Sequence, residues 1–155
     1  MKIIRAANGQ EIRVSDEDYD DLSRFRWFID RDGYALRNAR LAPKQWYMER
    51  MHRRIVGLQR GDKRQVDHIN GNPLDNRRSN LRVCTHAENQ LNIGRQRNNT
   101  SGFKGVCFDK QAGKFKAAIA YQGRRKNLGL FDTPEAAYEA YCAAAAQLHG
   151  EFARY

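Results

Sequence analysis

Apolar and polar positions alternate from the start of the chain. Ile3-Ile4 on one side of Asn8-Gly9, and Ile12 and Val14 on the other, predict a β-hairpin over residues 2–14. Ser15 followed by Asp16, Glu17 and Asp18 predicts a short capped helix, because a serine oxygen can accept from a free N–H and negative charge suits the first turn. Phe25, Trp27 and Ile29 alternate as a strand, Asp32-Gly33 turns the chain into a second strand at Tyr34 to Asn38, and Trp46, Tyr47 and Met48 form a third. Met51 to Val56 reads as a short helix ended by Gly57. Two β-favourable runs follow, Val66 to Ile69 and Leu81 to Thr85, separated by a loop of Asn, Gly, Pro, Asp and Ser, whose side chains and φ preferences favour turns. Thr85 with Glu88 three residues on forms a capping box for the next helix.

Beyond it, Gly94 to Gly102 is a polar connector without aliphatic or aromatic side chains. Residues 103–131 predict three strands. On the second, Phe115, Ala117, Ile119 and Tyr121 face inward, and Lys114, Lys116, Ala118 and Ala120 face the other way. Thr133-Pro134 opens a last helix and Gly150 closes it, with Ala137, Tyr141, Ala144 and Leu148 as its apolar stripe. The fold class is α+β: an N-terminal antiparallel sheet leads into a strand–loop–strand–helix core, then a small three-stranded sheet plus helix. The expected divisions are residues 1–93 with the core at 64–93, a basic linker at 94–102, and a second domain at 103–155.

Charge changes the picture. The 155 residues carry a net charge of +10. Residues 1–57 hold 12 basic and 9 acidic side chains, residues 58–100 hold 8 and 4, and residues 101–155 hold 8 and 5, so the excess is no mere tail. A basic balance spread over ordered-looking sequence points to a polyanion, most often nucleic acid. Arg24, Arg26, Arg31, Arg37 and Arg40 alternate with the apolar positions of the first sheet, either as a ribbon for a DNA groove or as a solvated face. Cys84, Cys107 and Cys142 form no CxxC pair, which argues against a cysteine-type zinc site and fits a reducing compartment. With no long apolar run and no signal-peptide core, a cytoplasmic protein without membrane contact is expected.

Candidate chemistry gathers in the middle of the chain. Asp67 and His68 close the first core strand, and Asn89 sits in the helix after the second. A carboxylate and a carboxamide are hard oxygen ligands suited to Mg²⁺ or Mn²⁺. An imidazole beside them can deprotonate water near neutral pH. Adjacent strand residues point to opposite faces, so Asp67 and His68 can serve one site only if the strand ends or twists there, which Gly71 and Pro73 allow. His52 reads as a structural residue hydrogen-bonded near the site, and His86 as a surface residue.

The run Val66 to Asn92, with Asp67-His68, the LDNRRSNLR segment, Asn80 and Asn89, resembles the HNH endonucleases of the ββα-metal fold, in the phage and intron subgroup. The resemblance implies that Asp67 and Asn89 ligate one divalent metal, that His68 is the general base, and that Asn80 braces the loop and orients His68. The reaction it implies is hydrolysis of phosphodiester bonds in double-stranded DNA, leaving 5′-phosphate and 3′-hydroxyl ends. Arg53 and Arg54, in a preceding His-Arg element similar to the family's, are expected at phosphates. Farther on, Phe103-Lys104-Gly105-Val106, Gly113-Lys114-Phe115, Leu128 to Thr133 and Glu135-Ala136-Ala137 resemble the AP2 DNA-binding domain. Cys107, Asp109, Ala118, Ala120 and Asn127 replace its base-reading residues, so the implied contacts are mostly to phosphate. The candidate DNA contacts are Lys104, Lys114, Lys116, Arg124, Arg125 and Lys126, with Arg95 and Arg97 in the linker. The expectation is a homing-type nickase acting in the bacterial host cell if phage-encoded; the oligomeric state stays open, with a monomer favoured, since one centre nicks and a dimer could cut both strands. The alternative is a DNA-binding regulator with an inactive centre; an RNA-binding module is weaker, because no single-strand stacking platform is evident.

Overall fold

The computed structural model describes residues 1–92, 99–121 and 123–153. The chain divides into two compact units, Met1–His86 and Ala87–Tyr155. That division precedes the expected linker, of which residues 94–98 lie outside the described residues.

In the first unit, β1 (Lys2–Arg5) and β2 (Glu11–Val14) form the predicted antiparallel hairpin. Helix α1 (Asp16–Leu22) follows, but Ser15 makes no side-chain cap; its hydroxyl accepts from the backbone N–H of Arg78 at 3.0 Å instead. The strand expected over residues 25–29 shrinks to β3 (Phe28–Ile29), because Trp27 turns into the core and its indole N–H donates to the Leu22 carbonyl at 2.8 Å. β4 (Ala35–Ala42) pairs with β3 and with β5 (Gln45–Arg50). Helix α2 (Met51–Ile55) leads to β6 (Gln65–His68), then β7 (Asp75–Asn76), a 3₁₀ turn at Arg78–Asn80, and β8 (Leu81–Cys84), which pairs antiparallel with β6.

β7 was not legible in the sequence. It lies parallel to β2, with Arg13 opposite Asp75 and Val14 opposite Asn76, and so ties the loop between β6 and β8 to the hairpin. One core carries the whole unit. Ile12, Val14, Leu22, Trp27 and Met51 are fully buried, and Val66 of β6 and Leu81 of β8 join them. At about 1.5–3 kcal/mol per large apolar side chain, this core anchors both strands that hold the candidate site. The arginine ribbon is not uniform. Arg37 is largely buried, pairs with Glu49 at 2.6 Å and lies 3.6 Å over the Phe25 ring, so it belongs to the scaffold.

Helix α3 (His86–Leu91) begins at the junction of the two units. In the second unit β9 (Val106–Asp109), β10 (Lys114–Tyr121) and β11 (Arg124–Phe131) form an antiparallel sheet in the order β11-β10-β9. Helix α4 (Pro134–His149) starts as expected, with the Thr133 hydroxyl accepting from the N–H of Ala136. Its buried line is Ala137, Tyr141, Ala145 and His149 rather than one through Ala144 and Leu148, which are only partly covered. Residues four apart share a helix face, and the two buried alanines let α4 lie close on the sheet. Gly105 has φ +75°, and a Cβ there would come within 2.2 Å of the Tyr141 ring, so packing alone requires glycine. Among the described residues no helix is long and apolar enough to cross a membrane.

Candidate active site

β6 runs between the core and the loop that follows, and Val66, Asp67 and His68 are all buried. The register sets Asp67 opposite Arg82 and His68 opposite Leu81. Arg82 answers the buried carboxylate across the hairpin: its Nη2 and Nε reach Asp67 Oδ2 at 2.6 and 2.8 Å.

After His68 the strand ends. Gly71 N–H donates back to the His68 carbonyl at 2.7 Å, a tight turn that takes the chain out of β geometry. The loop is then held by its own amides. Asn80 accepts from the backbone N–H of Asn70 at 3.0 Å, and its Nδ2 donates to Asn70 Oδ1 at 3.0 Å and to the Asp75 carbonyl at 2.8 Å. Asp75, wholly buried, accepts from Arg77 at 2.7 Å on each oxygen and from Asn70 Nδ2 at 2.9 Å. The Arg77 guanidinium holds the Asp75 carboxyl below the usual carboxylate range.

His68 sits among aromatic rings. Its centroid is 5.2 Å from that of His52, edge to face, and 5.8 Å from that of Tyr34. Asn76 Oδ1 lies 3.4 Å from its Nε2. Burial lowers the His68 pKa, while the Asn76 contact and the charges of Asp67 and Asp75 act against it. A buried imidazole that stays neutral near pH 7 has a lone pair with which to accept a proton.

His52 lies beside the site as expected, yet its buried Nδ1 finds no hydrogen-bond partner among the described residues. Burial, reinforced by His68, Arg50 and Arg53, pushes its pKa down to about 3. The unfolded chain therefore binds the extra proton between the ordinary value of 6.5 and about 3. The stability due to neutral His52 is complete above pH 6.5 and lost as pH falls, by about 1.4 kcal/mol per unit inside that window. The urea midpoint of the wild type is expected to fall between pH 6.5 and 5, and that of His52→Phe to fall less. Equal slopes would remove His52 as the cause.

The expected basic contacts separate into groups. The Arg53 guanidinium donates to the carbonyls of Arg64, Gln59 and Asp62 at 2.8, 3.2 and 3.0 Å, pinning the segment before β6. Arg54 grips Asp21 at 2.9 and 3.1 Å and approaches Glu49 at 3.4 Å. Both were expected at phosphates, and both are engaged with protein oxygens that converge on this helix from either side. Arg95 and Arg97 lie outside the described residues. Lys104 donates to the Leu91 carbonyl at 2.9 Å, at the C-terminal end of α3. Lys114 pairs with exposed Asp132 at 3.0 Å. Cross-strand partners share a face, so Arg125, opposite Ala120, lies on the same sheet face as Lys114 and Lys116, away from α4. Arg124 and Lys126 stand opposite Tyr121 and Ile119, on the α4 side of that sheet. Asn89 stands in α3.

Sequence reasoning missed Asn76, Asp75, Tyr34 and Arg82. Only Arg82 had a local signal, since pairing the two strands back from their loop places it opposite Asp67. Asp75 and Asn76 reach the site through β7, whose pairing with β2 is non-local, and Tyr34 reaches it through its ring contacts with His52 and His68.

A short antiparallel pair with a buried aspartate and histidine at its loop end, braced by asparagines and followed by a helix, defines a nuclease of the HNH class. The HNH endonuclease profile matches residues 49–91. Protein 3.8 of Escherichia phage T7 is 34% identical over 90 residues, spanning 58% of this chain and 74% of that relative. Uncharacterized HNH endonuclease L560 of Acanthamoeba polyphaga mimivirus is 30% identical over 146 residues, spanning 90% of this chain and 71% of that relative. The chain belongs to the HNH endonuclease family and is a nuclease, a hydrolase. No solved structure matches it significantly.

Proposed function

We propose that the chain is a metal-dependent, site-directed endonuclease of the homing type that nicks double-stranded DNA. The observation that carries this is the buried Asp67–His68 pair at the end of β6, above a loop whose amides and carboxylate are hydrogen-bonded to one another. His68 takes a proton from a water that attacks phosphorus in line, and the buried ring is held neutral and ready for that proton. Asn80 acts through the loop, holding Asn70 and the Asp75 backbone in place.

The donor chemistry fits a hard divalent cation. Asp67 and Asn89 offer oxygen atoms and no thiol, as Mg²⁺ or Mn²⁺ require. Mg²⁺ is commonly held by one or two protein oxygens with water and phosphate completing its shell, and Asp67 with Asn89 would hold it in that way. When bound, the cation supplies electrostatic stabilisation of the charge on the scissile phosphate and the leaving 3′ oxygen. Asp67 would then share its carboxylate between that cation and Arg82.

Binding rests on charge. The three-stranded sheet backed by α4 acts as an AP2-like anchor, with Lys114, Lys116 and Arg125 on one face toward phosphates. Arg95 and Arg97 are assigned to the DNA backbone on sequence alone. One His68 per chain makes a monomer a nicking enzyme.

Purified protein incubated with supercoiled plasmid carrying its target is expected to yield relaxed circles with Mg²⁺ or Mn²⁺ and none with EDTA. Linear product would replace nicking with paired strand cuts. Retained DNA binding without cleavage in either metal would make the chain a DNA-binding regulator with an inactive centre.

A further inference from the structure

One face of the β4–β5 ribbon is open to solvent and sorts its residues in an uneven way. Alternate residues of a strand share a face, and so do cross-strand partners. The register sets Leu36 opposite Arg50, Asn38 opposite Met48 and Arg40 opposite Trp46, so these six stand on one side. Leu36 is buried at the inner end, and the other five are exposed, Trp46 at 63% and Met48 at 58%. None of the six is acidic. The single carboxylate of the two strands, Glu49, lies on the opposite face, where Arg37 holds it at 2.6 Å. Arg40 Nε donates to the Ala42 carbonyl at a long 3.4 Å, and among the described residues neither Arg40 nor Arg50 forms an ion pair. Of the arginines that alternate along this sheet, Arg37 belongs to the scaffold and Arg40 to the open face.

The face begins at the candidate site. The Arg50 guanidinium lies 5.3 Å over the Tyr34 ring, and that ring is 5.8 Å from the His68 ring. From Arg50 to Trp46 the strand runs outward by about 13 Å, at about 3.3 Å per residue. Each strand of B-DNA carries a phosphate about every 3.4 Å, so the face matches about four base pairs. A two-stranded ribbon also fits the width of the major groove. Isolated exposed apolar side chains need no explanation, but Trp46 and Met48 adjoin on one face between two arginines. Tryptophan, methionine and arginine are residues that interfaces favour. A second copy of the chain suits this face poorly, because apposing two of them would crowd arginines together with no carboxylate between. A polyanion with apolar surface between its charges meets both halves of it. We propose that the face formed by Arg40, Trp46, Met48 and Arg50 docks duplex DNA beside the scissile bond, with the arginines on phosphates and Trp46 and Met48 against sugars and base edges of the groove. The inference rests on the DNA-cleaving reading and names where the duplex lies on the first unit.

The test uses the full chain in EDTA, so that binding is read without cleavage, and a mixed-sequence duplex of about 30 base pairs, about three helical turns. Filter binding gives the affinity at several salt concentrations, and brief oxidative labelling read by mass spectrometry reports which side chains the duplex covers. Labelling of wild-type Trp46 and Met48 is expected to fall at saturating duplex. Arg40→Ala and Arg50→Ala are each expected to weaken binding and to reduce the log–log salt slope by about 1, a mark of phosphate contact that a structural loss does not leave. Trp46→Ala is expected to weaken binding by about 5- to 100-fold at an unchanged slope, the range that aromatic contacts to bases span, and Trp46→Phe to recover most of it. Equal labelling with and without duplex, in a preparation that filter binding shows to be saturated, overturns the proposal whatever the variants do. Unchanged affinity and slope in Arg40→Ala and Arg50→Ala overturn it equally. Protection of Trp46 that appears without DNA as the protein concentration is raised makes the face a contact between copies and overturns it too. Retained binding with Trp46 uncovered leaves the DNA-cleaving reading standing, whereas absence of binding to this duplex and to a cleavable plasmid overturns both.

Discussion

Replacing His68 with alanine is expected to lower plasmid cleavage by about 10²–10⁴-fold, the usual worth of a positioned general base. Binding of DNA is expected to survive, since the side chain is buried and its loss removes no surface charge. The cavity left behind is lined by Tyr34 and His52, which are themselves packed against each other at 5.3 Å, so the loop keeps its own amide hydrogen bonds. The wild-type pH profile carries a second sign of the same residue. Burial depresses the His68 pKa, so the basic form is already dominant near neutrality and the acid limb of the rate lies below the ordinary histidine range, about 6.5. A variant that cleaves at the wild-type rate would end the assignment, and a gel shift on the same preparation would show whether binding was spared.

The second large effect is on stability. Arg82→Ala is expected to cost about 3–5 kcal/mol, because it strips a buried carboxylate of its guanidinium. Both side chains are well inside: 12% of Arg82 and 6% of Asp67 remain exposed, so water cannot take over the pairing. The cost should appear as a fall in the urea midpoint of the first unit. It should shrink when Asp67→Asn is added to Arg82→Ala, since a carboxamide needs no counter-charge. A double variant as unstable as Arg82→Ala alone would mean that Arg82 stabilises through its aliphatic stem and not through the ion pair.

Much of this architecture is written locally. The hairpin at Asn8-Gly9, the strands on either side of the asparagine-rich loop and the start of α4 each depend on residues a few positions apart, so turn chemistry and capping reveal them. Asp67 and His68 were legible for the same reason: they end a strand at a turn. What escaped depends on distant partners. Ser15 reads as a helix cap until Arg78, 63 residues on, takes its oxygen. Asp75 and Asn76 read as loop until β2 pairs with them, and only that pairing brings Asn76 to His68. Arg53 and Arg54 read as phosphate contacts, and the carbonyls and carboxylates that engage them belong to other segments.

The distribution of aromatic side chains between the two units has an optical consequence. Both tryptophans of the chain, Trp27 and Trp46, fall in the first unit, one fully buried and one 63% exposed. Tryptophan emission is thus a report on one unit alone. Trp27 registers the opening of the core that carries β6 and β8, and Trp46 registers what touches the outer face of β5. The second unit holds Tyr121, Tyr138, Tyr141 and Tyr155 but no tryptophan, so its melting is silent at the tryptophan wavelength. A single smooth fluorescence transition would therefore describe the half of the molecule that contains Asp67 and His68, and say nothing of the sheet that bears Lys114, Lys116 and Arg125.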